Sequence, residues 1–172
     1  MTQKIKDLKG PILIIGASGF VGSNILRKVL AEREDVFGTS FSGSGWRLDD
    51  IPTSSIIHTN ILFEDSIQDT LKKVCPKTIF DCSSFGAYSF ESDFRLIHMT
   101  NYTSLINMLE IISTLDIHSY IHAGTSSEYG QGSPAVACQK RRIHVRTIKK
   151  TGINLPTSHI FQLSYKNPQF KK

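Results

Sequence analysis

Gly16-Ala17-Ser18-Gly19-Phe20-Val21-Gly22 follows the apolar run Pro11-Ile12-Leu13-Ile14-Ile15 and leads into Ser23-Asn24-Ile25-Leu26-Arg27-Lys28-Val29-Leu30. The apolar run is short enough to be a buried strand, and the stretch after the glycines has helical periodicity. Glycines let a backbone turn sharply and approach a ligand closely, and a helix N-terminus offers unpaired N–H groups and the positive end of a dipole. Strand, glycine turn and helix in this order form a phosphate cradle. They commit the chain to an α/β fold that opens on a nucleotide-binding unit.

The rest of the chain extends that pattern. Strands are predicted at Asp35–Thr39, Ser55–Thr59, Lys77–Cys82 and Tyr120–Ala123, with a Gly/Ser loop from Ser40 to Trp46. Glu64–Val74 reads as a helix with Ile67, Leu71 and Val74 on one face. Phe94–Leu115 is the longest helical pattern, with Leu105, Met108, Leu109, Ile112 and Leu115 in register. Strands alternating with helices imply a doubly wound, Rossmann-like parallel sheet of about five strands with helices on both faces. No repeat is evident, and no clear periodicity survives past Gly130.

With 172 residues the chain is long enough for one domain with a sizeable core. No apolar run approaches the roughly 20 residues of a membrane span. The N-terminus carries no signal-peptide pattern. Cys75, Cys82 and Cys138 are odd in number and widely spaced. They suggest neither a disulfide framework nor a zinc site, and fit a reducing cytoplasm. The net charge of +5 conceals a sharp asymmetry: all fifteen acidic residues lie at or before Glu128, whereas Tyr129–Lys172 holds nine basic residues and no acid. A break of this kind marks a different sort of segment.

Four stations along the chain resemble the extended short-chain dehydrogenase/reductase superfamily, in its branch of NAD(P)-dependent sugar-nucleotide epimerases and dehydratases. The first is the glycine turn, with the spacing G-x-x-G-x-x-G. The second is Asn60-Ile61 after the third strand, where the family carries an acid that contacts the adenine. The third is Asp81-Cys82-Ser83-Ser84 and the loop through Tyr88, whose small residues match those that lie against the cofactor. The fourth pairs Asn101 in the long helix with Gly124-Thr125-Ser126-Ser127-Glu128-Tyr129-Gly130. The resemblance assigns Gly16, Ser18, Gly19, Phe20, Val21, Gly22, Asn60, Ile61, Cys82, Ser83 and Ser84 to NAD or NADP. It gives Thr125 the orientation of a substrate oxygen and Asn101 a part in the proton relay. It implies a nucleotide-sugar substrate, most like the deoxysugars of bacterial surface polysaccharides.

Besides Asn60 in place of the acid, two larger features depart from the family. Its general acid/base tyrosine and ribose-binding lysine occur as Tyr-x-x-x-Lys, and no tyrosine here is followed by lysine at that spacing. The resemblance covers about residues 10–132, so a Rossmann domain is expected at 1–132 and a basic, poorly ordered, non-family tail at 133–172. A truncated or frame-shifted product would have this form. Apolar surface left bare by the missing helix would favour a homodimer or poor solubility.

Cofactor choice stays open at the sequence level. The second strand ends on Thr39-Ser40 with no acid to hold a ribose 2′-OH, and Arg47 is either a partner for a 2′-phosphate or a solvated loop residue. His118 and His122 have no third ligand nearby and read as structural rather than metal-binding. Ser83-Ser84 lacks a nucleophile elbow. Cys82 reads as a small buried residue. The basic tail has no nucleic-acid-binding motif, so nucleic acid is not expected as a partner. Three readings remain: a sugar-nucleotide enzyme, a non-catalytic dinucleotide-binding module, and an inactive remnant.

Overall fold

The computed structural model describes residues 2–43, 45–86, 91–124 and the strand at 145–148. Its centre is β1 (Ile12–Ile15), a run of four aliphatic residues with no more than 2% of any of them exposed. A strand buried on both faces reads as continuous apolar sequence, as expected in a parallel sheet covered by helices on both sides. β2 (Val36–Ser40) and β4 (Thr78–Asp81) flank it, β3 (Ile56–His58) lies beyond β2, and β5 (Ser119–Ala123) lies beyond β4. These five strands are mutually parallel.

Alternation along β1 divides the core in two. Ile12 and Ile14 point to one face, where they meet Leu26 and Val29 of α2 (Phe20–Leu30) together with Leu48 and Ile51. Leu13 and Ile15 point to the other and meet α3 (Glu64–Val74) through Ile67, Leu71 and Val74. The helix α5 (Ser104–Ser113) joins that second cluster through Met108 and Ile112. The order β3-β2-β1-β4-β5 reverses direction at β1, so the crevice beyond the carboxyl ends of β1 and β4 is the natural ligand position.

The helix α3 has the bounds its sequence predicts. Glu64 and Asp65 favour its N-terminus, Lys72 and Lys73 its C-terminus, and Cys75 closes it in the left-handed conformation at φ 48°.

Three elements differ from the sequence expectation. A short helix, α1 (Thr2–Lys6), precedes the first strand; its Ile5, with the following Leu8, packs on the α2 side of the core. The helix expected over Phe94–Leu115 is interrupted: α4 (Phe94–His98) runs into a π-helical turn over Met99–Thr103 before α5 begins. A sixth strand, β6 (Val145–Ile148), pairs antiparallel with β5 in the basic stretch where no pattern was read.

Candidate dinucleotide site

The turn after β1 is built from backbone proximity. Gly16 has φ +73°, and a Cβ there would lie 2.9 Å from the carbonyl of Cys82 and the nitrogen of Ser83. The turn is thus pressed against the chain leaving β4, to which β1 is joined by the Cys82 N–H donating to the Ile15 carbonyl at 2.9 Å. Gly22 sits in the first turn of α2, where a Cβ would come 2.3 Å from the Gly16 carbonyl oxygen. Only glycine lets the helix start this close to the turn. Gly19 caps α2 with extended backbone and no side-chain hydrogen bond, so no side chain blocks the positive end of the helix.

The end of β2 secures the turn from the other side. The Gly16 N–H donates to Thr39 Oγ1 at 3.2 Å and the Ala17 N–H to the Thr39 carbonyl at 2.8 Å. Ser18 is half-buried and Gly19 exposed at the mouth. Phe20 is 63% exposed at the first turn of the helix, and Val21 is half-buried beside it. The glycine turn, the start of α2 and the β4 exit are therefore packed backbone against backbone, which a side chain at Gly16 or Gly22 would force apart, and the open N-terminus of α2 lies beside them. That is the shape a dinucleotide pyrophosphate requires, and the chain fits the group.

The other predicted residues fall around this cradle. Asn60 holds the turn after β3: its Oδ1 accepts from the Leu62 N–H at 3.0 Å, and its own N–H donates to Ser66 Oγ at 2.9 Å. Ile61 packs on the α3 side of the core. Cys82 is largely buried; burial, with the charge of Asp81, pushes its thiol up to about 12, so it stays a protonated thiol near neutral pH. Ser83 lies behind the turn and Ser84 is exposed. Asn101 is in the π-helical turn and spans to the β4 loop, accepting from the Phe85 N–H at 2.8 Å and donating to the Phe85 carbonyl at 2.7 Å. Thr125 lies outside the described residues.

A buried polar cluster supports the cradle from below. Asp81, 2% exposed at the end of β4, accepts from Ser83 Oγ at 2.6 Å and the Ser83 N–H at 3.0 Å on one oxygen. Its other oxygen accepts from Tyr120 Oη at 2.6 Å and lies 3.1 Å from His122 Nδ1. Burial alone pushes the Asp81 carboxyl upward, but the hydrogen bonds from His122, Ser83 and Tyr120, with the His122 charge, outweigh it and hold the group below its ordinary value. Tyr120 is buried, and burial together with the Asp81 charge raises its phenol far above the ordinary value. It donates a hydrogen bond to Asp81 from inside the core. The sequence signal for this cluster is an acid at the end of the otherwise uncharged strand Thr78-Ile79-Phe80-Asp81.

The family model described as "NAD dependent epimerase/dehydratase family" matches residues 12–149. No curated protein matches. Among solved structures, the chain is similar to the Bordetella bronchiseptica enzyme WbmH in complex with NAD+, at 18% identity and a TM-score of 0.62, covering 72% of this chain and 42% of that one. It is similar to UDP-glucuronic acid 4-epimerase from Bacillus cereus in complex with NAD, at 23% identity and a TM-score of 0.58, covering 71% and 42%. It is also similar to L-threonine dehydrogenase from Clostridium difficile, at 23% identity and a TM-score of 0.59, covering 66% and 36%. The matched stretch covers only about two fifths of the length of these proteins.

Proposed function

Because the chain belongs to the NAD dependent epimerase/dehydratase family, we propose that it is the dinucleotide-binding part of an enzyme acting on nucleotide sugars. The cofactor is NAD or NADP, and the setting is the synthesis of surface-polysaccharide sugars. The observation that carries the reading is the cradle: Gly16 and Gly22 have no room for a Cβ, and the bare N-terminus of α2 faces out beside them. Gly16, Ser18, Gly19, Phe20, Val21 and Gly22 would hold the pyrophosphate, Asn60 and Ile61 the adenine side, and Cys82, Ser83 and Ser84 the nicotinamide half. When bound, the dinucleotide supplies a hydride acceptor or donor.

Thr125 is assigned the orientation of the substrate oxygen, and Asn101 a part in the relay through the β4 loop it already grips. No Tyr-x-x-x-Lys occurs in these 172 residues, so this stretch binds the dinucleotide without completing the chemistry. That absence favours a second reading, a non-catalytic dinucleotide-binding module. We place Rossmann residues at 1–132 and a functionally distinct basic segment at 133–172, and the protein in the cytoplasm, with Cys75 and Cys82 as free thiols.

Calorimetric titration with NAD+, NADH, NADP+ and NADPH tests the binding reading. Saturable one-to-one binding by any of them supports it; no heat from all four at millimolar concentration rejects it. A panel of nucleotide sugars with bound dinucleotide, read by product chromatography, separates enzyme from module. Turnover would reject the module.

A further inference from the structure

Asp81 is 2% exposed at the end of β4, too deep for a ligand in the crevice to touch its carboxylate. A buried carboxylate is costly unless its lone pairs are used. Here four donors converge on it. One oxygen takes both the hydroxyl and the N–H of Ser83; the other takes the Tyr120 hydroxyl and faces His122 Nδ1. An ionised carboxylate only accepts, so His122 carries a proton on Nδ1.

The two oxygens face different parts of the molecule. The Tyr120 and His122 side is anchored in β5, where His122 stands in register with Asp81. Tyr120 is itself fixed in the core with Leu13, Ile79 and Met108. The Ser83 side is the chain leaving β4. The Ser83 nitrogen that Asp81 holds is one of the atoms 2.9 Å from where a Gly16 Cβ would stand. Three residues on from the glycine turn's contact at Cys82, Asn101 grips both polar groups of the Phe85 backbone. The β4 exit is therefore pinned on either side of Ser84, which is exposed between the two anchors. Backbone held in its bound geometry before a ligand arrives spares the ordering cost of binding.

We propose that Asp81 is a positioning residue for the dinucleotide: through Ser83 it holds the β4 exit, and the exposed Ser84 with it, in the geometry that receives the nicotinamide half. The inference rests on the dinucleotide reading above. The two oxygens then have separable roles. The one facing Ser83 governs how the nicotinamide half is held, and the one facing Tyr120 and His122 governs stability. An amide in place of the carboxylate keeps the first role, because its oxygen can face Ser83 while its NH2 faces two groups able to accept.

The test is titration of the full chain with NADH and NADPH, followed by nicotinamide fluorescence, beside calorimetry with ADP, which lacks the nicotinamide half. Asp81→Ala should weaken the reduced dinucleotide about ten-fold or more, the size of one hydrogen bond to a charged group. It should also shrink the fluorescence change at saturation, while ADP stays within about two-fold of the wild type. Asp81→Asn and Tyr120→Phe should lower the melting temperature yet keep dinucleotide affinity within about three-fold and the fluorescence change intact. Circular dichroism reports folding. Where Asp81→Ala does not fold, Asp81→Leu combined with Tyr120→Phe removes the Ser83 anchor without orphaning the phenol, and should show the same loss. Wild-type affinity and fluorescence in whichever of these two is folded overturns the proposal and leaves the dinucleotide reading intact. Equal weakening of ADP and dinucleotide overturns it too, as does a loss in Tyr120→Phe as large as that in Asp81→Ala, since either marks a purely structural role. Binding of no dinucleotide by the wild type overturns both.

Discussion

Gly16 and Gly22 show what single residues decide here. At Gly16 a side chain meets both an unfavourable φ and the backbone of Cys82 and Ser83; at Gly22 it meets the Gly16 carbonyl and the Ala17 Cα. Gly22→Ala forces the helix start away from the turn, which should cost about 1–3 kcal/mol and weaken dinucleotide binding beyond detection. Chemical denaturation and calorimetry measure the two effects, and normal affinity in the variant would contradict the cradle. Asp81 is the other decisive residue. Asp81→Ala strands His122, Ser83 and Tyr120 and should cost about 3–5 kcal/mol, the usual loss when a buried charged partner is removed.

The pH dependence of stability has a definite sign. Asp81 is held below its ordinary value in the folded chain, so between the two values the unfolded chain binds more protons. Its contribution is complete above the unfolded carboxyl value of about 4 and is lost as pH falls through the folded value. Melting temperature should drop on acidification below about pH 4. The drop should be shallower in Asp81→Asn, and scanning calorimetry from pH 3 to 7 compares them.

Among the elements, α3 and the α4–α5 region differ in how much of them the sequence reveals. The helix α3 has a single apolar face, acids at its start, lysines at its end and Pro76 beyond it, so local chemistry and packing agree. Leu71, 2% exposed, anchors it, and Leu71→Ala should cost about 2–5 kcal/mol in urea unfolding. The α4–α5 region has an equally apolar face, yet a π-helical turn interrupts it at Met99–Thr103. The periodicity of the sequence does not reveal one extra residue per turn. The turn contains Asn101, whose side chain grips both polar groups of the Phe85 backbone. Asn101→Ala removes two hydrogen bonds at an exposed position, so stability should fall by only about 1–2 kcal/mol, while dinucleotide affinity falls with the loosened β4 loop. An unchanged affinity would show that the loop is held by other contacts.

At the scale of the whole molecule, the described surface exposes Phe94, Tyr102 and Ile106, spaced at helical intervals along α4, the π-helical turn and α5. Such a row favours self-association. The chain is expected to dimerise through it, and Tyr102→Glu combined with Ile106→Glu should give a monomer by sedimentation equilibrium. A wild-type monomer at 100 µM, on the order of the concentrations used for such measurements, would refute the expectation. Saturating dinucleotide at about 100 times its Kd should add about 2.7 kcal/mol to folding stability.

The sequence by itself determined the alternation of strands and helices, the position of the glycine turn and the family, because these depend on local periodicity and on residues with special backbone freedom. It also determined that Tyr-x-x-x-Lys is absent from these residues. Tertiary structure alone decided what meets at the cradle. Asp81 lies 39 residues before Tyr120 and 41 before His122, and meets them only because β4 and β5 lie side by side in register. The strand β6 pairs antiparallel along the edge of β5, a contact that spans more than twenty residues of sequence. In each case the deciding energy comes from which group lies within hydrogen-bonding distance of another, and a linear pattern does not carry that information.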